Sequence, residues 1–203
     1  MKVIGITGPT GAGKTTALNA LRDLGGCIID ADAVYHDLTV SSAPMRAELT
    51  ARFGEVYQGN VLDRKKLGSI VFQDPEALAD LNAITHKYVD QETGRRIARA
   101  RAEGRPAAAI DAIALFEGGL AELCDVTVAV TAPTADRIRR LTARDGISAD
   151  YARSRIAAQH DGDWFRQRCD YVLENDGNLA EFQSRCLAFL YKIGIMKENT
   201  KGV

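Results

Sequence analysis

The sequence predicts an α/β fold with a mainly parallel, helix-covered sheet, and three observations lead to it. A β-branched run at 3–7, a helical apolar spacing at 15–24 and a second apolar run from Cys27 follow one another within about thirty residues, the length of a strand–helix–strand unit. Parallel strands need such a crossover. Apolar runs then recur at 107–113, 125–131 and 171–173, separated by segments of helical spacing. Finally, a glycine-rich turn joins the first strand to its helix, and ligands of such sheets bind beyond the carboxyl ends of the strands.

The elements follow in order. The first helix places Ala17, Leu18, Leu21 and Leu24 on one face and stops at Gly25-Gly26. The second strand, 27–29, ends at Asp30-Ala31-Asp32. Residues 33–105 exceed what one crossover helix needs. Helical patterns at 45–53, 64–71 and 75–101, with turn signals at Gly54, Gly59-Asn60 and Asp74-Pro75, make this stretch a mostly helical insertion. Pro106 and the run 107–113 restart the sheet, and 125–131 adds another strand. A charged helical segment at 134–144, a turn at Asp145-Gly146-Ile147-Ser148 and a helix over 149–160 come next. The last strand is 171–173. A closing helix over 179–193 sets Leu179, Phe182, Cys186, Phe189, Leu190 and Ile193 on one face.

Composition narrows the function. The chain has 203 residues and a formal net charge of −1, so binding of nucleic acid through bulk charge is not expected, and any anionic ligand must meet local cations. Cys27, Cys124, Cys169 and Cys186 form no C-x-x-C pair, and His36, His86 and His160 stand far apart. Neither a disulfide framework nor a metal-ligand spacing is present, and inert reduced thiols are expected. The first residues run straight into a strand without the pattern of a signal peptide, and no stretch approaches the length of a membrane span. A cytoplasmic protein without membrane association or an obligate protein partner is the expectation.

Gly8-Pro9-Thr10-Gly11-Ala12-Gly13-Lys14-Thr15 matches G-x-x-x-x-G-K-[ST] at every fixed position, after a strand and at the opening of a helix. Glycines let backbone N–H groups turn inward around phosphate oxygens, and the helix N-terminus adds unsatisfied donors. Gly11, Ala12, Gly13, Lys14, Thr15 and Thr16 are therefore expected to hold ATP. Lys14 would meet the β- and γ-phosphates, and the Thr15 hydroxyl would ligate Mg²⁺. A glycine-rich turn with a surface lysine is the plain alternative, which the complete motif in its context disfavours. The motif alone does not separate kinases from GTPases, ATPases or ligases.

Ile28-Ile29-Asp30-Ala31-Asp32 after this loop resembles the dephospho-coenzyme A kinase family. So do Leu115-Phe116-Glu117-Gly118-Gly119-Leu120, Arg140-Leu141-Thr142-Ala143-Arg144-Asp145-Gly146, Arg155-Ile156-Ala157-Ala158-Gln159 and Asp170-Tyr171-Val172-Leu173-Glu174-Asn175-Asp176-Gly177. These segments occur in the family's order and span almost the whole chain. The resemblance implies a three-layer P-loop kinase core with a mainly parallel five-stranded sheet, a helical acceptor-binding insertion and a mobile helical lid. On this chain the core takes 1–32, 106–132 and 166–203, the insertion 33–105 and the lid 133–165, within a single kinase domain. The implied activity is transfer of the γ-phosphoryl group of ATP to the ribose 3′-hydroxyl of dephospho-coenzyme A, with Mg²⁺. Two positions depart from the family's usual proline, Lys87 after His86 and Ile113. Proline fixes local backbone shape, so both bear on the acceptor pocket.

Roles for single residues come partly from the resemblance. Asp32 is the implied catalytic carboxylate, placed to orient the attacking hydroxyl and to contact Mg²⁺ through water; Asp30 is a weaker one. Both are also the type of residue that caps a following helix. Arg137, Arg140 and Arg144 share a helix face. Arg140 is expected to neutralise the transferring group, and Arg144 either to bind nucleotide or to pair with Asp145. Asn175 either contacts the base or belongs to an ordinary turn. His86 and Glu117 are expected at the acceptor site, although each also fits a packing or loop role. Spacing assigns no role to Arg155 and Gln159, for which a contact between lid and core is as good a reading. The arginines from Arg95 to Arg101 read as a solvent-facing helix end.

Two rival functions remain. Another small-molecule P-loop kinase, for a nucleoside or nucleotide, shares the core and differs in the insertion. A nucleotide-dependent switch would phosphorylate no acceptor; no N-K-x-D-like base-reading motif is present, which disfavours a GTPase.

Overall fold

The structure is a computed structural model and describes residues 1–195. The part of the expected core over 196–203 lies outside the described residues. The chain divides into two compact units. One comprises Met1–Ile29 and the chain from Ile97 onward, the other Asp30–Arg96.

The first unit holds a five-stranded sheet, β1 (Lys2–Thr7), β2 (Cys27–Asp30), β5 (Ala107–Asp111), β6 (Val126–Thr131) and β7 (Tyr171–Glu174), in the order β2-β5-β1-β6-β7. β1 is central and runs parallel to both neighbours, Ile6 opposite Asp111 on one side and Thr7 opposite Ala129 on the other. β7 runs parallel to β6. Both faces of β1 are covered, as a parallel sheet requires. Ile4 and Ile6 enter the core shared with α1 (Lys14–Asp23) and α9 (Leu179–Lys192). Gly5 points the other way, where a Cβ would come within 2.7 Å of the Leu115 side chain and 2.9 Å of the Cys124 sulfur. The Ala-Ala-Ala-Ile stretch of β5 is fully buried, its small side chains letting α1 pack against the strand.

The second unit contains α2 (Ala31–Ser41), α3 (Ala43–Phe53), a two-stranded hairpin of β3 (Tyr57–Gln58) and β4 (Val61–Leu62), α4 (Arg64–Val71) and most of α5 (Pro75–Ala102). Its own core gathers Met45, Leu49, Phe53, Val56, Leu62, Leu67, Val71 and Ala77. The helical patterns read at 45–53, 64–71 and 75–101 correspond to α3, α4 and α5. Missing from that reading is α2, which buries only Ala31, Val34 and Thr39 and so lacks an apolar stripe. The hairpin, with two residues per strand, is too short to show alternation.

Three further differences have local causes. β5 ends at Asp111 rather than at 113. The helix expected over 149–160 is α7 (Ala149–Ala157), which stops short of 160, and a further helix, α8 (Gly162–Arg168), absent from the sequence reading, starts where the Asp161 carboxylate accepts from Trp164 N at 2.8 Å and caps it. Leu179 is 63% exposed, at the first position after the Asn178 cap, whereas Phe182, Cys186, Phe189, Leu190 and Ile193 are buried as expected. In that cap the Asn178 and Glu181 side chains each accept from the other's backbone N–H. Between these, α6 (Thr134–Asp145) follows β6. All four cysteines are free. No helix among the described residues is long and apolar enough to cross a membrane.

Candidate active site

The loop from Gly8 to Gly13 leaves the end of β1 and enters α1 without a side-chain cap, so the first N–H groups of the helix are not claimed by a capping residue. Where the loop's backbone oxygens go defines the site. Gly8 O accepts from Lys14 Nζ at 3.0 Å, and Pro9 O from Ala12 N at 3.2 Å. Thr10 O accepts from Arg137 Nε at 2.9 Å. Gly11 O and Ala12 O both receive Arg140 Nη1, at 3.4 and 3.3 Å, and Ala12 O also receives Asn175 Nδ2 at 2.8 Å. Every carbonyl from Gly8 to Ala12 is thus held.

Close packing explains two of the glycines. A Cβ on Gly11, whose φ is +76°, would stand 3.0 Å from the Arg137 carbonyl oxygen; on Gly13, φ +108°, it would stand 2.3 Å from Asn175 Nδ2. Substituting either would push α6 or Asn175 off the loop.

The loop opens into a cavity of about 650 Å³. Residues 10–15 line it together with Asp111, Ile113, Arg140 and Arg144. The structure therefore brings Gly11, Ala12, Gly13, Lys14, Thr15, Arg140 and Arg144 around one space. Thr16 lies behind, its N–H bonded to Gly13 O at 3.0 Å. Arg144 realises the ion-pair alternative: its Nε meets Asp145 Oδ1 at 2.6 Å, and Arg155 Nη1 meets Asp145 Oδ2 at 2.7 Å. Those hydrogen bonds, Arg144's first, hold the Asp145 carboxyl down at about 2 and raise the Arg144 guanidinium above its usual range. Asn175 is buried and spends its amide donor on Ala12 O, while its Oδ1 accepts from Arg140 Nη2 at 3.1 Å. The group the sequence offered for base recognition thus braces the loop.

Asp111 was not singled out from the sequence, although an apolar strand closing on an aspartate, Ala-Ala-Ala-Ile-Asp, is a signal that a P-loop should prompt. For Gln159 the structure realises the alternative of a contact with the core. Its Oε1 accepts from Thr10 N at 2.8 Å, a direct tie between the segment after α7 and the phosphate loop.

In the helical unit, Asp30 takes the capping role, its Oδ1 accepting from Ala33 N at 2.9 Å. Asp32 makes no cap; it stands exposed in the first turn of α2. His86 is half-buried midway along α5, and Lys87 beside it binds Glu48 on α3 at 2.6 Å. Tyr88 also donates to Glu48, and the two hydrogen bonds, that of Lys87 first, lower the Glu48 carboxyl. The departure at Lys87 is thus a tie between two helices of that unit. In the other unit, Glu117 is exposed and meets His160 Nε2 at 3.1 Å. Ile113 lines the phosphate cavity, and its carbonyl accepts from Thr7 Oγ1 at 3.1 Å. Three arginines of α5 are matched by nearby carboxylates, Arg95 and Arg96 by Glu92 and Arg99 by Glu103, and Arg96 also meets Asp37 on α2 at 2.9 Å.

Cavity and loop suit a polyphosphate with a hard divalent cation. Among the residues that line the cavity, Thr15 brings a hydroxyl and Asp111 a carboxylate. Magnesium is usually held by one or two such groups plus substrate phosphates rather than by a protein cage. Among the described residues no cluster of three or more His, Cys, Asp or Glu side chains is placed to hold a metal.

The dephospho-CoA kinase (CoaE) family profile matches residues 2–181. A dephospho-CoA kinase of Symbiobacterium thermophilum is 38% identical over 88% of this chain and 76% of its own length. That of Anaeromyxobacter dehalogenans is 41% identical over 87% of this chain and 85% of its own. Among solved structures, TT1252 from Thermus thermophilus superposes with a TM-score of 0.79 at 34% identity, covering 95% of this chain and 97% of that one.

Proposed function

The chain belongs to the dephospho-CoA kinase family, and on that premise we propose how its residues share the transfer of a phosphoryl group from ATP to dephospho-CoA. The reaction phosphorylates the ribose 3′-hydroxyl and yields coenzyme A and ADP. The observation that carries the residue assignment is the phosphate loop, whose carbonyls are all held and which opens into the 650 Å³ cavity beside two arginines.

ATP is bound with its phosphates against the N–H groups of the loop and the start of α1, where backbone donors and helix dipole favour anions. Lys14 takes the β- and γ-phosphates. Arg140, fixed by two hydrogen bonds to the loop and two to Asn175, faces the same cavity and offsets the charge of the transferring group. Arg144 lines the cavity and contributes positive charge to nucleotide binding, two of its donors being held by Asp145. Asn175 acts through the loop it braces. Thr15 and Asp111 would hold Mg²⁺, with Asp32 contacting it through water, and the ion would supply positive charge to neutralise the phosphates.

The acceptor is bound by the helical unit, 33–105 in the sequence, with His86 there and Glu117 from the core as contacts. Asp32 orients the 3′-hydroxyl and takes its proton as the new oxygen–phosphorus bond forms. The bond from the γ-phosphorus to the β-bridging oxygen breaks, and ADP leaves with that electron pair. Residues 133–165 serve as the lid that keeps water from the γ-phosphate. The four free thiols suit a reducing compartment, and the reaction is placed in the cytoplasm.

The test is an incubation of the protein with ATP, Mg²⁺ and dephospho-CoA, followed by mass spectrometry for coenzyme A. Product that is lost in Lys14→Ala supports the assignment. Product that persists in Lys14→Ala refutes the role of the loop, and ADP formation without coenzyme A refutes the acceptor.

A further inference from the structure

Among the described residues Arg137 is the only lysine, arginine, aspartate or glutamate that is nearly fully buried, at 4% exposure. Burial lowers its pKa from the usual arginine range without removing the charge, and no carboxylate contributes in the other direction. One of its terminal nitrogens, Nη2, has no hydrogen-bond partner at all. It also sits in the first turn of α6, where the helix dipole disfavours a cation. The neighbouring Asp136 gives no relief, since it pairs with Arg139 at 2.8 Å. A buried guanidinium held this way is costly in the free protein, and a fold would not gain from it as packing alone.

What Arg137 touches suggests the return. Its Nε donates to Thr10 O at 2.9 Å, while Gln159 Oε1 accepts from Thr10 N at 2.8 Å. Both backbone polar groups of one phosphate-loop residue are thus gripped by side chains from outside the loop. Thr10 O belongs to the same peptide unit as the N–H of Gly11. A charged donor on that carbonyl polarises the unit and strengthens the N–H on its far side. Taking up the Thr10 N–H at Gln159 fixes the preceding peptide as well, so the turn of the loop is set before any ligand arrives.

We propose that Arg137 and Gln159 are positioning residues for the polyphosphate of the nucleotide: together they clamp Thr10, and Arg137 supplies from behind the loop a positive charge that is balanced only when the phosphates bind. The inference rests on the reading that this loop holds ATP. It makes Arg137 a residue kept for ligand binding at the expense of the free fold. Replacing it by an apolar side chain of similar length has opposite effects on the two.

Arg137→Met, Arg137→Lys and Gln159→Ala in the full chain test this. Calorimetry with Mg²⁺ measures binding of tripolyphosphate and of a non-hydrolysable ATP analogue, and a melting curve without ligand measures the fold. Arg137→Met is expected to melt no lower than the wild type while both affinities fall by about tenfold or more. Gln159→Ala loses affinity in the same direction, and Arg137→Lys, which keeps the charge and one donor, restores most of it. An Arg137→Met protein that melts lower and binds both probes within about twofold of wild type overturns the proposal, because the residue then serves packing alone. So does a Lys variant as impaired as the Met variant. A wild-type protein that binds neither probe overturns the phosphate-loop reading itself, and that failure shows before any variant is made.

Discussion

Replacing Asn175 by alanine isolates what the bracing of the phosphate loop contributes. Asn175 is 6% exposed and makes two side-chain bonds, from Nδ2 to Ala12 O at 2.8 Å and from Arg140 Nη2 to Oδ1 at 3.1 Å. The substitution leaves its backbone bond to Thr131 O untouched. Removing a neutral buried bond costs about 1 kcal/mol, and a bond to a charged group about 1.5–3 kcal/mol. The second figure belongs at its lower end, since Arg140 still reaches Asn175 O at 3.3 Å and Ala12 O at 3.3 Å. The expected loss is therefore about 2–3 kcal/mol. In a chain of this size each kcal/mol moves the melting midpoint by about 2–4 °C, so Asn175→Ala should melt about 4–12 °C lower. Circular dichroism melts without ligand measure this, and titration with an ATP analogue should show weaker binding beside it. Asn175→Asp sharpens the test: it keeps an acceptor for Arg140 but sets a carboxylate against the Ala12 carbonyl, so binding should suffer more than stability. A midpoint for Asn175→Ala within about 1 °C of wild type, as for an ordinary surface change, would refute the accounting.

Three other outcomes are expected. Asp32→Asn should bind ATP as the wild type does and turn over about 10²–10⁴-fold more slowly, the usual worth of a positioned general base; unchanged kcat removes Asp32 from the chemistry. Asp170 accepts from the backbone and hydroxyl of Thr127 at 2.7 and 2.8 Å, which lowers its carboxyl below the ordinary range. A depressed folded-state value contributes stability that is fully present above the unfolded-state value of about 3.9 and is lost as pH falls from there through the folded-state value. Asp170→Asn should therefore flatten the acid limb of stability below about pH 4 and lower the plateau at neutral pH, read from melts across pH. Burial pushes the Cys124 thiol up to about 12, so alkylation of the native protein at neutral pH should spare Cys124 until the fold opens.

Much of the fold was legible because its signals are local. Strand β1, the helix that follows and the motif between them are one continuous segment, and glycine and lysine spacing encodes an anion site without reference to the rest of the chain. The long helical insertion was visible for the same reason, since α3, α4 and α5 each carry turn signals at their ends and enough apolar positions to show a period. The helix α2 was not, because it buries only two small apolar residues and a threonine. The helix α8 was not either: with seven residues it is too short to show a period, and Asp161 was visible as a residue but not as its cap. Its side chain acts only once Trp164 N is placed above it.

The phosphate loop, the α/β alternation and the family's motifs in order are properties of the sequence by itself, and they were enough to indicate what the protein does. The partners of that loop are not. Arg137, Arg140, Gln159 and Asn175 come from 127 to 163 residues further along the chain than the backbone atoms they hold. Asp111 comes to the loop's cavity through the pairing of β5 with β1. Spacing along a chain reports which residues share a strand or a helix face, but such long separations carry no period. Only the folded sheet, by bringing β1, β5, β6 and β7 side by side, decides which distant side chains meet at its carboxyl end.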